Sequence, residues 1–286
     1  MVKNTVPPRL HVLLAAQSNI GLVIRRGPSN QFCTLLWNRK TDHFSIGQWL
    51  KGRIYEHRSD LSPNGKYFLY FAMNARRSWQ GPLCWTAVSR APYLRAIALY
   101  GEEDTWFGGG HFINDKTYNI ARGAFFHTLR ESNEVLLHKP DPKAATCSLD
   151  EAAAQSKYPI IGDLGLYCRR LERDGWSLVS GHIKNHFVFE KAIGRDWLIM
   201  LSINQGASQK RGKPSTWNEY SLVHLPTQTV TQYPDWEWAE LDRSRLVWAT
   251  NGQIWSGMLH KNALYNEKML YDFNDMEFEA IKAPYE

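Results

Sequence analysis

Short runs of apolar and aromatic residues, separated by turn-forming residues, recur along the chain. Residues 62–66, Ser-Pro-Asn-Gly-Lys, precede the run Tyr-Phe-Leu-Tyr-Phe at 67–71, and Asn251-Gly252 precedes Ile254-Trp255. Asn-Gly and Asp-Gly supply the positive φ angles that tight hairpins need. Aromatic residues make up 13% of the chain, and their flat side chains suit pleated surfaces. This pattern predicts many short strands joined by hairpins, and so an all-β chain.

The strand-like runs also repeat at a regular spacing. Leu198 and Val247 occupy matching places after a turn and are 49 residues apart. A period of about 40 to 60 residues holding four strands is the size of one β-propeller blade. Residues 60–70, Asp-Leu-Ser-Pro-Asn-Gly-Lys-Tyr-Phe-Leu-Tyr, resemble the Ser-Pro-Asp-Gly-Lys turn of WD40-like and TolB-like propellers, with Asn64 replacing the usual aspartate. The resemblance implies a fold and no particular function.

The expected architecture is a single β-propeller domain over residues 1–286, built from four-stranded antiparallel blades. Counting four strands to a blade predicts five blades, at residues 10–50, 53–110, 111–182, 183–234 and 235–286. The third blade breaks the strand rhythm. There Ser148-Leu149-Asp150-Glu151 forms a capping box before Ala152, which predicts a short helical insertion.

Hydropathy and cysteine spacing exclude several classes of protein. No apolar run approaches the length of a transmembrane helix, so no membrane partner is expected. The four cysteines include no C-x-x-C pair, which excludes the common zinc-ribbon and redox spacings. They are Cys33, Cys84, Cys147 and Cys168. Scattered thiols in a chain of this size predict reduced, buried cysteines and a cytoplasmic protein.

A glycine run and a pair of histidines are interpreted as structural features. Gly108-Gly109-Gly110 leads into a predicted strand at Phe112-Ile113, whereas phosphate cradles lead into a helix. His182 and His186 are too few for a metal site, which needs three or four converging ligands, and Lys184 between them would repel a cation. We therefore expect no metal and no cofactor.

Acidic residues in predicted inner strands leave an enzymatic alternative open. Families of five-bladed propellers hydrolyse glycosides with carboxylates placed around a central cavity. The richest acidic segment is 235–240, Asp-Trp-Glu-Trp-Ala-Glu, in which tryptophan faces could stack on sugars; Asp60 and Asp115 are further candidates. This alternative is an enzyme acting on a glycan or a phosphorylated small molecule. No spacing selects a pair of acids, so no catalytic residue is assigned.

Basic residues concentrate in three predicted loops that carry no acid, at residues 25–30, 75–82 and 205–216. The chain as a whole has 34 Lys and Arg against 28 Asp and Glu. On the blade assignment each loop joins the second and third strands of its blade, which places all three on one face of a propeller. The basic and tryptophan residues of this face are Arg25, Arg26, Arg76, Arg77, Trp79, Lys210, Arg211, Lys213 and Trp217.

These loops predict a binding function. Arginine forks bind phosphates and carboxylates through paired hydrogen bonds, and Trp79 and Trp217 offer stacking surfaces. We expect a non-catalytic recognition or scaffold protein that binds an acidic partner through this basic, tryptophan-bearing loop face. An acidic protein segment is the first expectation and nucleic acid the second, because no recognised nucleic-acid module is present. The other interpretation is that these loop arginines are exposed and only keep the protein soluble.

Overall fold

The computed structural model describes residues 6–28, 30–74, 81–123, 125–138, 163–182, 186–206, 216–261 and 263–286. Within these ranges nearly every regular element is a strand, and the strands form five sheets, here named A to E in chain order. The all-β class is therefore confirmed. The helix expected at Ala152, and Cys147 before it, lie outside the described residues.

Sheet A is a four-stranded meander that coincides with the first expected blade. In order across the sheet its strands are β1 (Arg9–Leu14), β2 (Ile20–Arg26), β3 (Gln31–Asn38) and β4 (His43–Lys51). Strands β2 and β3 pair in antiparallel register from Ile20↔Asn38 to Arg26↔Phe32. Both strands are buried on both faces, which is why their sequences are continuous apolar runs rather than alternating ones.

Sheet B follows and contains the turn that resembles propeller turns. Its strands are β5 (Arg53–Ile54), β6 (Asp60–Leu61), β7 (Tyr67–Met73), β8 (Cys84–Arg90), β9 (Ala96–Glu102) and β12 (His127–Arg130). A 3-10 helix, Glu56–Arg58, lies between β5 and β6. In the turn before β7, Gly65 adopts a φ of +79° and its N–H donates to the Ser62 carbonyl at 2.8 Å. The turn expected from the sequence is confirmed.

The expected third blade, residues 111–182, is not one sheet. Sheet C consists of β10 (Gly110–Phe112), β11 (Thr117–Ile120) and β13 (Leu136–Leu137), and its β11–β13 pair is parallel. Strand β12 joins sheet B instead, and an α-helix follows, α1 (Asp163–Arg173). Helix α1 is amphipathic: Leu164, Tyr167, Cys168 and Leu171 recur at helical spacing and are all buried.

Sheets D and E complete the strand order. Sheet D has five strands, β14 (Ser177–His182), β15 (His186–Ile193), β16 (Trp197–Gln205), β17 (Thr216–His224) and β18 (Thr229–Tyr233). Sheet E has four, β19 (Trp238–Asp242), β20 (Arg245–Thr250), β21 (Gln253–His260) and β22 (Ala263–Asp272). Sheet D exceeds the expected four strands because β14, assigned from the sequence to the third blade, pairs with β15.

The chain divides into two compact units. The N-terminal unit contains residues 12–170 and 277–286, and the C-terminal unit contains residues 1–11 and 171–276. The core of the N-terminal unit includes Leu22, Phe32 and Phe68. In the C-terminal unit the Trp236 ring stacks on Tyr233 and Trp248, with centroids 3.9 and 5.0 Å away.

The cysteines and the hydropathy of the helices bear on the class of protein. Cys33, Cys84 and Cys168 are buried reduced thiols, as expected. Among the described residues, no helix combines the length and the hydropathy needed to cross a membrane.

Candidate binding site

Arg25 belongs to strand β2 and not to a loop, contrary to the expectation. Its side chain is 1% exposed, its guanidinium donates to the Gly27 carbonyl, and it lies 5.4 Å from the ring centroid of Trp49. Burial lowers the pKa of Arg25. The placement of Arg25 on an exposed loop was wrong because β2 extends to Arg26 before the chain turns.

Arg26 is the last residue of β2 and is half-buried. Its guanidinium lies 3.5 Å from a carboxylate oxygen of Glu56 and 5.8 Å from the Phe32 ring centroid. Six other residues of the expected face lie outside the described residues: Arg76, Arg77, Trp79, Lys210, Arg211 and Lys213.

Trp217, expected just after the third loop, lies in strand β17. It pairs across the sheet with Asn204, which pairs in turn with His186, so the three side chains share one face of sheet D. That face is the partly exposed one, because the neighbouring residues Ile203 and Tyr220 are buried on the other. The Trp217 indole N–H is itself buried, and no acceptor for it is found in the described part of the chain.

The β2–β3 loop of sheet A and the end of β7 in sheet B lie close to each other. The N–H of Gly52 donates to the Asn30 carbonyl at 2.9 Å, which ties the β4–β5 connection to the β2–β3 loop. Arg53, the next residue, pairs in strand register with Met73 at the end of β7, where the second loop begins. We call Arg26, Lys51 and Arg53 the basic end of sheets A and B.

Lys51 and Arg53 were not identified from the sequence. Lys51 is exposed, and its ammonium lies 4.0 Å from the ring centroid of Phe278. The Arg53 guanidinium lies 4.2 Å from the ring centroid of Tyr55, and its Nε has no acceptor among the described residues. The signal was present as two cations flanking a turn glycine, Lys51-Gly52-Arg53, but short basic pairs are common on protein surfaces.

Apolar and acidic groups border the basic end. Leu83, at the close of the second expected loop, is 45% exposed, and Phe278 is 37% exposed. The acids nearby are Glu56, paired with Arg26, and Glu279. Burial raises the pKa of the Cys33 thiol to about 12; Arg25 opposes this rise and Glu279 adds to it. Lys51 is therefore the exposed cation of the basic end, and the apolar ring of Phe278 lies beside it.

The carboxylates of the enzymatic alternative are engaged in holding the fold. Asp60 and Asp115 each accept a main-chain N–H at 2.7 Å, from Phe112 and Asn64, and Glu237 accepts the N–H of Leu10 at 2.8 Å. The fourth acid, Glu240, accepts from Lys191 at 2.7 Å and from the Trp176 indole at 2.8 Å. Burial raises the pKa of Glu240. Asp235 is exposed. None of these contacts supplies a pair of acids for catalysis.

The other motifs noted in the sequence have structural explanations. Gly108 and Gly109 have positive φ angles of +91° and +79°, and a Cβ on Gly110 would lie 1.9 Å from the Asn119 carbonyl oxygen. The glycines therefore permit a close main-chain crossing, as expected. Across the described ranges, no group of three or more His, Cys, Asp or Glu side chains is placed to hold a metal ion.

Comparisons with known proteins identify no family. No protein-family model matches the chain, and no curated protein matches its sequence. Among solved structures, the tricorn protease shows similarity at 9% sequence identity with a TM-score of 0.24. The similarity covers 94% of this chain and 26% of the protease chain, so this chain spans about a quarter of its length. A TM-score this low does not establish a shared fold.

Proposed function

We propose that this chain is a non-catalytic recognition protein that binds an acidic segment of a partner protein at the basic end of sheets A and B. The observation that carries the proposal is the approach of the β2–β3 loop to the end of β7 there. The Gly52–Asn30 hydrogen bond and the Arg53↔Met73 pair bring the β2–β3 loop beside the strand end from which residues 75–82 leave. Those residues include Arg76 and Arg77.

The charges and apolar contacts of the basic end support this partner. Lys51 and Arg53 stack on aromatic rings, so both cations are oriented by aromatic contacts. Exposed Phe278 lies against Lys51, and an apolar contact beside a charge favours a protein segment over nucleic acid.

The proposal includes closure of the five sheets into a five-bladed propeller in a reducing, cytoplasmic compartment. Sheets A and E are complete four-stranded meanders. Residues 1–11 belong to the C-terminal unit, where Leu10 donates to Glu237, whereas residues 277–286 belong to the N-terminal unit. An experimental structure in which sheets A and E are not adjacent would contradict closure.

Binding of a labelled twelve-residue glutamate peptide tests the function. Fluorescence anisotropy should show affinity that weakens as salt rises, because Lys51 is exposed and salt screens its charge. Replacing Lys51 and Arg53 with glutamate should weaken binding at least about tenfold at low salt, since charge reversal in an interface adds repulsion. The free energy of unfolding should change by less than about 1 kcal/mol.

The matched control reverses two cations elsewhere in the N-terminal unit. Lys40 lies in the β3–β4 turn, at the far end of sheet A, and Lys116 lies in the turn before β11; both are exposed. The variant Lys40→Glu, Lys116→Glu makes the same change in net charge and should bind nearly as the parent does. Equal losses in the two variants would show that only net charge matters and would refute the site. An oligonucleotide that bound more tightly than the peptide would refute the choice of partner.

A further inference from the structure

A cleft in the C-terminal unit opens among hairpin turns of sheets D and E. Its volume is about 390 Å³. Residues 194–196 join β15 to β16, residues 243–244 join β19 to β20, and Lys261 follows β21. Strand β16 begins at this cleft and ends at Gln205, so the cleft lies at the end of β16 opposite to Gln205.

Part of the lining of the cleft, here called its floor, is apolar. Ile193, Trp197 and Leu246 line it and are 9%, 7% and 1% exposed. Leu241 and Leu259, both half-buried, continue the same lining. A floor of this kind accepts the hydrocarbon part of a ligand, and the volume is near the lower end of ordinary ligand sites, which span about 300 to 1,000 Å³.

The rim of the cleft is cationic. Arg195, Arg243 and Lys261 line it against one carboxylate, Asp196, which leaves two net positive charges with neutral His260. All three cations are exposed. Among the described residues, Arg195 and Lys261 have no hydrogen-bond or ion-pair partner. Three turns distant in sequence thus bring three cations to one small opening.

We propose that this cleft binds a phosphomonoester whose organic part is apolar. A phosphomonoester carries close to two negative charges at neutral pH, which matches the net charge of the rim, and its oxygens suit arginine forks. The apolar floor accommodates the group that the phosphate esterifies. The ligand is a phosphorylated small molecule or a phosphorylated aromatic side chain, which share this chemistry. The site is separate from the basic end of sheets A and B and does not depend on its function.

The backbone conformation at two of the cations allows substitutions that remove charge without adding strain. Arg243 and Lys261 have positive φ angles of +61° and +49°. Asparagine adopts this left-handed conformation more readily than arginine or lysine, so Arg243→Asn and Lys261→Asn remove charge without adding backbone strain. Lys268 is an exposed residue of β22 that does not line the cleft, and Lys268→Asn is the matched control.

Isothermal titration of the full chain with phenyl phosphate tests the proposal. Phenyl phosphate should bind at least about tenfold more tightly than inorganic phosphate, benzyl alcohol or phenylacetate, because only phenyl phosphate offers both an apolar body and a dianion. Lys261→Asn and Arg243→Asn should each weaken it about tenfold, the usual effect of losing one charged hydrogen bond. Lys268→Asn should leave it unchanged, as should the Lys51→Glu, Arg53→Glu variant, which separates this site from the proposed function.

Two results would overturn the proposal. One is inorganic phosphate or benzyl alcohol binding as tightly as phenyl phosphate. The other is an equal effect of Lys261→Asn and Lys268→Asn. A glycine-flanked phosphotyrosine peptide distinguishes the two sources of the ligand, because a phosphoprotein ligand requires the peptide to bind more tightly than phenyl phosphate does.

Discussion

Arg25 and Lys51 are basic residues of the same sheet, and their surroundings give them different roles. Arg25 is enclosed, with its charge held by the Gly27 carbonyl and the face of Trp49, whereas Lys51 is exposed above Phe278. Residue type alone does not show which of the two is buried, because both are basic residues close to a turn. Strand β2 continues through Arg25, and this extension decides its burial.

The different burial of the two cations predicts different effects on stability. Arg25→Ala should lower the free energy of unfolding by about 3 kcal/mol, because it leaves a cavity and an unpaired carbonyl. Lys51→Ala should change it by less than about 1 kcal/mol, as exposed substitutions usually do. Urea unfolding followed by circular dichroism measures both values. Equal effects of the two substitutions would mean that Arg25 is not buried as described.

Glu102 predicts how stability depends on pH. Its carboxyl is 2% exposed at the end of β9, close to the Gly123 N–H, and burial raises its pKa above the ordinary value of 4.5. Between the pKa of the unfolded chain and the higher pKa of the folded chain, the folded state keeps a proton that the unfolded state has released. Raising the pH through this window therefore lowers the free energy of unfolding, by at most about 1.4 kcal/mol for each pH unit crossed.

The variant Glu102→Gln removes this titration. Compared with the parent chain, it should gain stability as the pH rises above the ordinary pKa of 4.5, because the parent loses stability there. Urea unfolding at a series of pH values gives the difference in the free energy of unfolding between the variant and the parent. A constant difference between Glu102→Gln and the parent over this range would contradict the raised pKa.

At the scale of elements, strands were predicted well and the only α-helix of the described chain was missed. Sheets A and E coincide with expected blades because turn residues separate their apolar runs, as Asp-Arg-Ser at 242–244 and Asn251-Gly252 do in sheet E. Helix α1 was missed although Leu164, Tyr167, Cys168 and Leu171 follow a helical period. The capping box at residues 148–151 predicted a helix at Ala152 instead, earlier in the chain.

The close pairing of β10 with β11 depends on a glycine. A Cβ on Gly110 would meet the Asn119 carbonyl oxygen at 1.9 Å, whereas a Cβ on Gly194 would meet nothing within 4 Å despite a φ of +65°. Gly110→Ala should therefore lower the free energy of unfolding by about 3 kcal/mol through overpacking. Gly194→Ala should cost only about 1 kcal/mol, for a left-handed alanine. Thermal and urea unfolding compare the two, and a Gly194→Ala effect as large as that of Gly110→Ala would contradict the close approach.

At the scale of the whole molecule, the sequence predicted a class of structure better than it predicted a site. Turn residues and the spacing of apolar residues are sufficient to predict hairpins. The all-β class and the strands of sheets A and E could therefore be predicted from the sequence. The pairing of β12 with sheet B and of β14 with sheet D depends on contacts distant in the chain, and no local pattern encodes them. For the same reason Lys51 and Arg53 became candidates only when sheet register placed them beside the β2–β3 loop.

Hydrogen–deuterium exchange of the full chain, with and without the saturating glutamate peptide, tests the central claim most directly. Binding at the basic end of sheets A and B predicts slower amide exchange in peptic fragments that cover residues 26–31 and 50–54. The Lys40→Glu, Lys116→Glu variant should give the same protection pattern as the parent, and the Lys51→Glu, Arg53→Glu variant should lose it. Protection confined to residues 193–197 and 241–261, or absent at saturation, would contradict the account.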